Sequence, residues 1–188
     1  MEFVEPIRDR KKIESMKKIL QGNERDYLLF VLGINTAYRI SDLLELKYKD
    51  VIDEKKKVLS HVKLKESKTD KNNKVAITKG VAKAVTNFVE KNYKGNLEDY
   101  LFIGKKNPNK PIRRETAWRI ISSAAAEVGL KNIGTHTLRK TFAYHQYKAG
   151  TELAILMDML NHSSETITLK YIGITQDEKD RAVRALDL

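Results

Sequence analysis

The chain has 188 residues, 41% of them apolar and 32% charged, enough for one ordinary domain and rather long for two. It has no cysteine, which excludes disulfides and thiolate metal sites and fits a cytoplasmic protein. Lys plus Arg number 36 against 25 Asp plus Glu, a net charge of +11, and such an excess marks a candidate polyanion binder, because each neutralised phosphate releases counterions.

In chain order, residues 5–22 mix cations with Ile7, Ile13, Met16, Ile19 and Leu20, and the stretch from Ile13 to Leu20 has the spacing of an amphipathic helix. Gly22 and Asn23 end it. A second helix is expected from about Glu24 to Ile34. Its apolar run, YLLFVLGI, is too short to cross a bilayer, and no stretch resembles a signal peptide. RISDLLELK (39–47) carries a buried stripe of Ile40, Leu43, Leu44 and Leu46. The period then changes. VLSHVKLKE alternates, SKTDKNNK is polar and turn-forming, and VAIT is a β-branched run, which together predict a hairpin. A shorter strand is possible around Val51–Ile52.

Helices return after Thr78, with Val81, Val85, Phe88 and Val89 on one face. LFI (101–103) is a short apolar segment and NPNKP (107–111) predicts a loop. Trp118, Ile121, Ala124, Ala125 and Val128 outline a helix stopped by Gly129, with Trp118 expected in the core rather than as a base-stacking platform. Further helices are expected over Thr137–Ala149, Glu152–Leu160 and around Ile167–Ile172. Thr175 and Glu178 form a candidate capping box for a last helix, with Val183 and Leu186 on one side. The fold class is mainly α with a small antiparallel β-sheet (α+β).

The chain has no G-x-G-x-x-G, Walker loop or H-E-x-x-H. His136, His145 and His162 have no spacing that demands zinc. No cofactor or metal is therefore expected. What remains is a set of cations, two histidines and a tyrosine. His136 and Arg139 stand three apart and share one helix face. Arg39 and Asp42 have the same spacing, which suits either an ion pair or a shared site. His61 and His145 are taken as structural or surface residues.

Four segments together resemble the tyrosine recombinase family, the integrases of phages and mobile elements. TAYRISDLLEL (36–46) looks like the family's first arginine box, and SKTDKNNKVAIT (67–78) like its lysine-bearing hairpin. THTLRKTFA (135–143) is similar to its H-x-L-R box, and LMDMLNHSSETITLKYIG (156–173) to the box that ends in the nucleophilic tyrosine. The boxes occur in family order. Two positions depart from the pattern. Ala37 and Tyr38 replace a glycine and an aliphatic residue before Arg39, and Asn161 replaces the glycine before His162. Asparagine tolerates a left-handed backbone better than most residues, so that turn can survive.

The resemblance implies metal-independent phosphoryl transfer on double-stranded DNA through a 3′-phosphotyrosine. Tyr171 would be the nucleophile, His136 the base and Lys68 the acid for the departing 5′-oxygen. Arg39, Arg139 and His162 would hold the phosphate, and Asp42 would orient them. Phenols are poor nucleophiles until deprotonated, and guanidinium forks match phosphate oxygens without losing charge.

The family's usual N-terminal DNA clamp is not expected in so short a chain. Residues 1–188 are read as a single catalytic domain with a helical tail from about 175 to 188, either cut from a longer protein or naturally short. The resemblance implies that this tail packs on a neighbouring protomer in a DNA-bound tetramer. Folding back onto its own domain is the other possibility. The alternative function is a DNA-binding or regulatory protein that keeps the fold without autonomous recombination. A relaxing topoisomerase of similar chemistry is a third.

Overall fold

Asp9 starts the first helix by accepting a hydrogen bond from the Lys11 amide (2.7 Å), satisfying one of the amides a helix start leaves open. That helix, α1 (Arg10–Leu20), buries Ile13, Met16 and Leu20. The computed structural model describes residues 4–65, 72–104, 107–174 and 176–186. Asn23 then caps α2 (Glu24–Asn35), which is buried over Leu28–Gly33 and forms the central helix. Arg39 is the N-cap residue of α3 (Ile40–Leu44), and a 3₁₀ turn follows at Tyr48–Asp50.

The expected hairpin is β1 (His61–Lys65) paired antiparallel with β2 (Asn72–Ala76), Val62 opposite Val75. The second strand begins earlier than the β-branched run at Val75, because pairing with β1 recruits Asn72–Lys74 despite their turn-like chemistry. Near Val51, only an isolated bridge of Ile52 with Val58 forms. Thr78 caps α4 (Lys79–Asn92), whose Val81, Ala84, Val85, Phe88 and Val89 pack against α2 and α3.

A second two-stranded sheet corrects the loop expected at 107–111. β3 (Ile103–Gly104) pairs antiparallel with β4 (Asn107–Pro111) through an irregular register. An edge strand tolerates proline because the missing N–H need not join a ladder. The chain then enters α5 (Arg114–Glu127) and α6 (Thr135–Lys148), followed by α7 (Leu153–Leu160), α8 (Glu165–Ile172) and α9 (Gln176–Leu186). The mainly helical α+β class holds, with two small sheets among the described residues rather than one.

Three apolar clusters share this scaffold. One joins α2, α3 and α4. A second joins α1, α5 and the inner side of α6, and a third ties α6 to α7 and α8. Helix α6 touches the last two and thus carries its polar first turn to the seam between them. Trp118 corrects the core expectation: it is 48% exposed, because Ala117, Ile121, Ala124 and Ala125 take the buried face of α5 and leave it on the flank. No helix among the described residues is long and apolar enough to cross a membrane.

Candidate active site

Arg39 precedes α3 in extended backbone, and its side chain reaches outward at 22% exposure. Asp42, one turn on, is 1% exposed and lies 4.0 Å from the Arg39 guanidinium. The i,i+3 geometry read from the sequence is therefore realised, with the carboxylate inside and the cation at the surface of the site.

Helix α6 supplies the next pair. Arg139 is only 4% exposed, and its Nη2 donates to the carbonyl of Leu160, the last residue of α7, at 2.6 Å. This bond orients the guanidinium and links the arginine helix to the turn before His162. His136 stands exposed in the first turn of α6, between the buried Thr135 and Thr137. Arg114 Nη2 lies 3.5 Å from His136 Nε2, a weak contact in which the guanidinium donates, so the ring nitrogen facing it is the unprotonated one. Partial desolvation lowers the His136 pKa, and the charges of Arg114, Arg139, Lys140 and Arg39 lower it further. A neutral, proton-accepting imidazole at pH 7 follows.

Helix α7 ends at Asn161 with φ 54° and ψ 47°, the left-handed C-cap that the sequence allows for asparagine. His162 follows. Its Nδ1 lies 3.1 Å from Thr168 Oγ1, whose own hydroxyl donates to the Ser164 carbonyl at 3.3 Å. The Thr168 oxygen therefore accepts from His162 Nδ1–H. Burial lowers the His162 pKa, as do Arg139 and Arg39.

Tyr171 lies in the last turn of α8, a helix capped by Ser164 at its start and by Gly173, at φ 73°, at its end. Its ring meets the His162 ring edge-on with centroids 5.0 Å apart. Lys140 Nζ sits 5.2 Å from the Tyr171 ring centroid. Burial pushes the phenol pKa up, while Arg139 and Arg39 pull it down. The same two guanidinium charges thus act on Tyr171, His136 and His162. Segments far apart in sequence meet in one electropositive cage.

Six of the seven residues singled out from sequence are described here. Arg39, Asp42, His136, Arg139, His162 and Tyr171 converge. Lys68 falls between β1 and β2, outside the described residues, as does Thr175 of the expected capping box. His145 faces elsewhere: its Nε2 lies 2.9 Å from the Ile7 carbonyl, as a structural role requires. Sequence reasoning missed Arg114, Lys140 and Thr168. Lys140 directly follows the arginine of the H-x-L-R segment and Thr168 lies three residues before Tyr171, so both had a positional signal. Arg114 had none, because only the packing of α5 against α6 brings it to His136.

A model of the phage integrase family matches residues 9–178. The chain is 46% identical over 178 residues to the probable integrase/recombinase YoeC of Bacillus subtilis (strain 168), covering 94% of this chain and 93% of that protein. It is 30% identical over 176 residues to a tyrosine recombinase of Pseudothermotoga lettingae, covering 93% of this chain but 58% of that protein. The fold superposes on the XerH site-specific recombinase bound to its palindromic difH substrate with a TM-score of 0.74 at 19% identity, over 96% of this chain and 52% of that one. Against these last two, the chain spans between half and three-fifths of its counterpart's length.

Proposed function

The chain belongs to the phage integrase family and has the catalytic-domain fold of the tyrosine recombinases, and on that premise we propose that it cleaves and exchanges DNA strands through a phosphotyrosine formed on Tyr171. The observation that carries this reading is the meeting of the Tyr171 and His162 rings at 5.0 Å beside the turn that Arg139 Nη2 holds through the Leu160 carbonyl at 2.6 Å, with Arg39 acting on the same groups. Two permanent cations beside one latent nucleophile form a site for an anion that becomes more negative during reaction. Pre-placed donors of this kind commonly supply about 3–4 kcal/mol each to the transition state.

Each remaining group then has a task. His136, held neutral by its surroundings, takes the phenolic proton. His162 has committed Nδ1–H to Thr168, so it donates from Nε2 only as the imidazolium, a state that an arriving phosphate favours. Asp42 orients Arg39 from inside. Lys68 protonates the departing 5′-oxygen. The covalent link conserves the energy of the broken strand, so a second DNA end can reseal it without external fuel.

The partner is double-stranded DNA, for which the +11 charge provides the long-range attraction, and such a substrate puts the work in the cytoplasm. Assembly into a tetramer on DNA would use α9, whose Val183 and Leu186 are 74% and 68% exposed. The non-catalytic alternative is not favoured, because each chemistry-bearing residue type of the family pattern is present. The test is a nicked duplex bearing a site selected from a genomic pool. The wild type should form a detergent-resistant adduct, and Tyr171→Phe should bind without forming it. No adduct on any selected site, or an undiminished one with Tyr171→Phe, would overturn the assignment.

A further inference from the structure

The residues that precede α1 bond closely to the site. Val4 offers its carbonyl to Lys140 Nζ at 2.8 Å, and that same ammonium sits over the Tyr171 ring. The Ile7 amide donates to Thr141 Oγ1 at 2.8 Å in a buried contact, and the Ile7 carbonyl receives His145 Nε2. The Ile7 side chain is fully buried among Ile13, Met16 and Leu138. Residues 4–8 are thus fastened along α6 at Lys140, Thr141 and His145, directly after Arg139.

Arg8 extends this segment to the tyrosine helix. Its Nη2 donates to the carbonyl of Gly173, the C-cap of α8, at 3.1 Å. The last carbonyls of a helix lack intrahelical partners and carry the negative end of its dipole, so a cation there is favourable. The guanidinium also lies over the Tyr144 ring of α6, 5.5 Å from its centroid. A Cβ added at Gly173 would stand 2.8 Å from Arg8 Nη2, so the fit against the cap is close. Helix α8 is only eight residues long, and Tyr171 lies two positions from this anchor.

We infer that residues 4–8 form a strap that positions the nucleophile, with Arg8 fixing the end of the tyrosine helix against α6 so that Tyr171 keeps its place beside His162 and Lys140. The inference rests on Tyr171 being the nucleophile. Arg8 is a positioning residue. Nothing places it against the phosphate. A short helix with one loosened end lets its last turn shift, and misplacing a reacting atom by about 1 Å can cost on the order of a hundredfold in rate.

The experiment compares the wild type, Arg8→Ala, Arg8→Lys and Tyr171→Phe in the full chain. Single-turnover adduct formation is followed on the selected nicked duplex, DNA affinity by fluorescence anisotropy, and amide hydrogen exchange over residues 165–174 without DNA. Arg8→Ala should slow adduct formation by about tenfold to a hundredfold with DNA affinity retained, and should speed exchange in α8 while leaving α2 protected. Arg8→Lys, which keeps a cation at the helix end, should recover much of the rate. An unchanged rate in Arg8→Ala, a loss confined to DNA affinity, or faster exchange throughout the chain would overturn the strap. An adduct that persists in Tyr171→Phe would instead overturn the nucleophile assignment, and the strap's role with it.

Discussion

His162 stands edge-on to Tyr171, with ring centroids 5.0 Å apart and planes at 79°. Edge-to-face pairs of this kind are worth about 0.5–1.5 kcal/mol beyond the area they bury. Phenylalanine at 171 preserves the ring contacts with His162 and Lys140 and removes only the hydroxyl. Tyr171→Phe should therefore unfold in urea within about 0.5 kcal/mol of the wild type while losing the adduct. A double-mutant cycle of His162→Ala and Tyr171→Ala should return a coupling energy inside the range for aromatic pairs.

The acid limb of activity follows from the lowered pKa of His136, the base, and the pH dependence of folding from the lowered pKa values of His136 and His162. A base held neutral loses activity only once acid protonates it, so the acid limb of kcat/KM should fall below the ordinary histidine value of about 6.5. Folding has the same direction. Between the folded and unfolded pKa values the unfolded chain binds more protons, so these two rings withdraw stability as pH falls below about 6.5. A phosphate in the cage offsets the cations and raises both pKa values. The limb for kcat in the DNA complex should therefore lie above that for kcat/KM. His136→Asn should leave a rate that is low throughout and without that limb.

The two arginines should separate in mutagenesis. Arg139 is buried and bonded to the Leu160 carbonyl, whereas Arg39 is 22% exposed. Lysine at either position keeps a charge but loses the fork, and each change should lower the cleavage rate by about two to three orders of magnitude. Only Arg139→Lys should also destabilise the fold, by about 1–3 kcal/mol, because lysine's single ammonium is poorly placed to satisfy the Leu160 carbonyl. Denaturant titrations beside single-turnover rates make the comparison.

Much of this site was legible because its residues are bound to short local patterns. The three-residue spacing of His136 and Arg139 survives folding within α6, and Asp42 of α3 stays 4.0 Å from the guanidinium of Arg39, the N-cap residue of that helix. The helices were legible from apolar periodicity, and most of their limits came within two residues. The failures share a cause in tertiary pairing. The strand at 107–111 exists because Ile103–Gly104 lies beside it. Trp118 is exposed because smaller residues already fill the α5 contact. Arg8 and Arg114 enter the neighbourhood of Tyr171 and His136 only through packing between elements remote in sequence.

Asn161 tests how much of the turn before His162 is backbone conformation. At φ 54°, a side chain with a Cβ is strained by about 1–2 kcal/mol, less for asparagine than for alanine. The turn is closed by bonds from the Asn161 amide to Asp158 and from the His162 amide to Met157, at 3.0 and 2.9 Å. Asn161→Gly should be neutral or slightly stabilising. Asn161→Ala should cost about 1 kcal/mol and reduce the cleavage rate, because His162 is delivered by this turn. Thermal melts and adduct kinetics of the two variants give the contrast.

Gly33 sets the distance between the central helix and the helix that carries His136 and Arg139. A Cβ at this position would overlap Leu138 Cδ1 and approach Leu138 Cβ and Cγ at 3.0 and 3.2 Å. Leu138 is 1% exposed, so its side chain has little room to move aside, and it is the immediate neighbour of Arg139. Two effects oppose each other in Gly33→Ala. Alanine gains about 1 kcal/mol of helix propensity, whereas overpacking a core typically costs about 1–3 kcal/mol. Contact with the branched root of Leu138, not just its tip, favours the second effect, so a net loss of about 1–2 kcal/mol is expected. The strain also pushes on α6, so cleavage should slow more than the stability loss accounts for. A Gly33→Ala, Leu138→Ala double variant relieves the overlap but leaves a cavity. It should regain cleavage relative to Gly33→Ala without regaining stability, and a failure to separate the two readouts would mean that Gly33 acts on the fold alone.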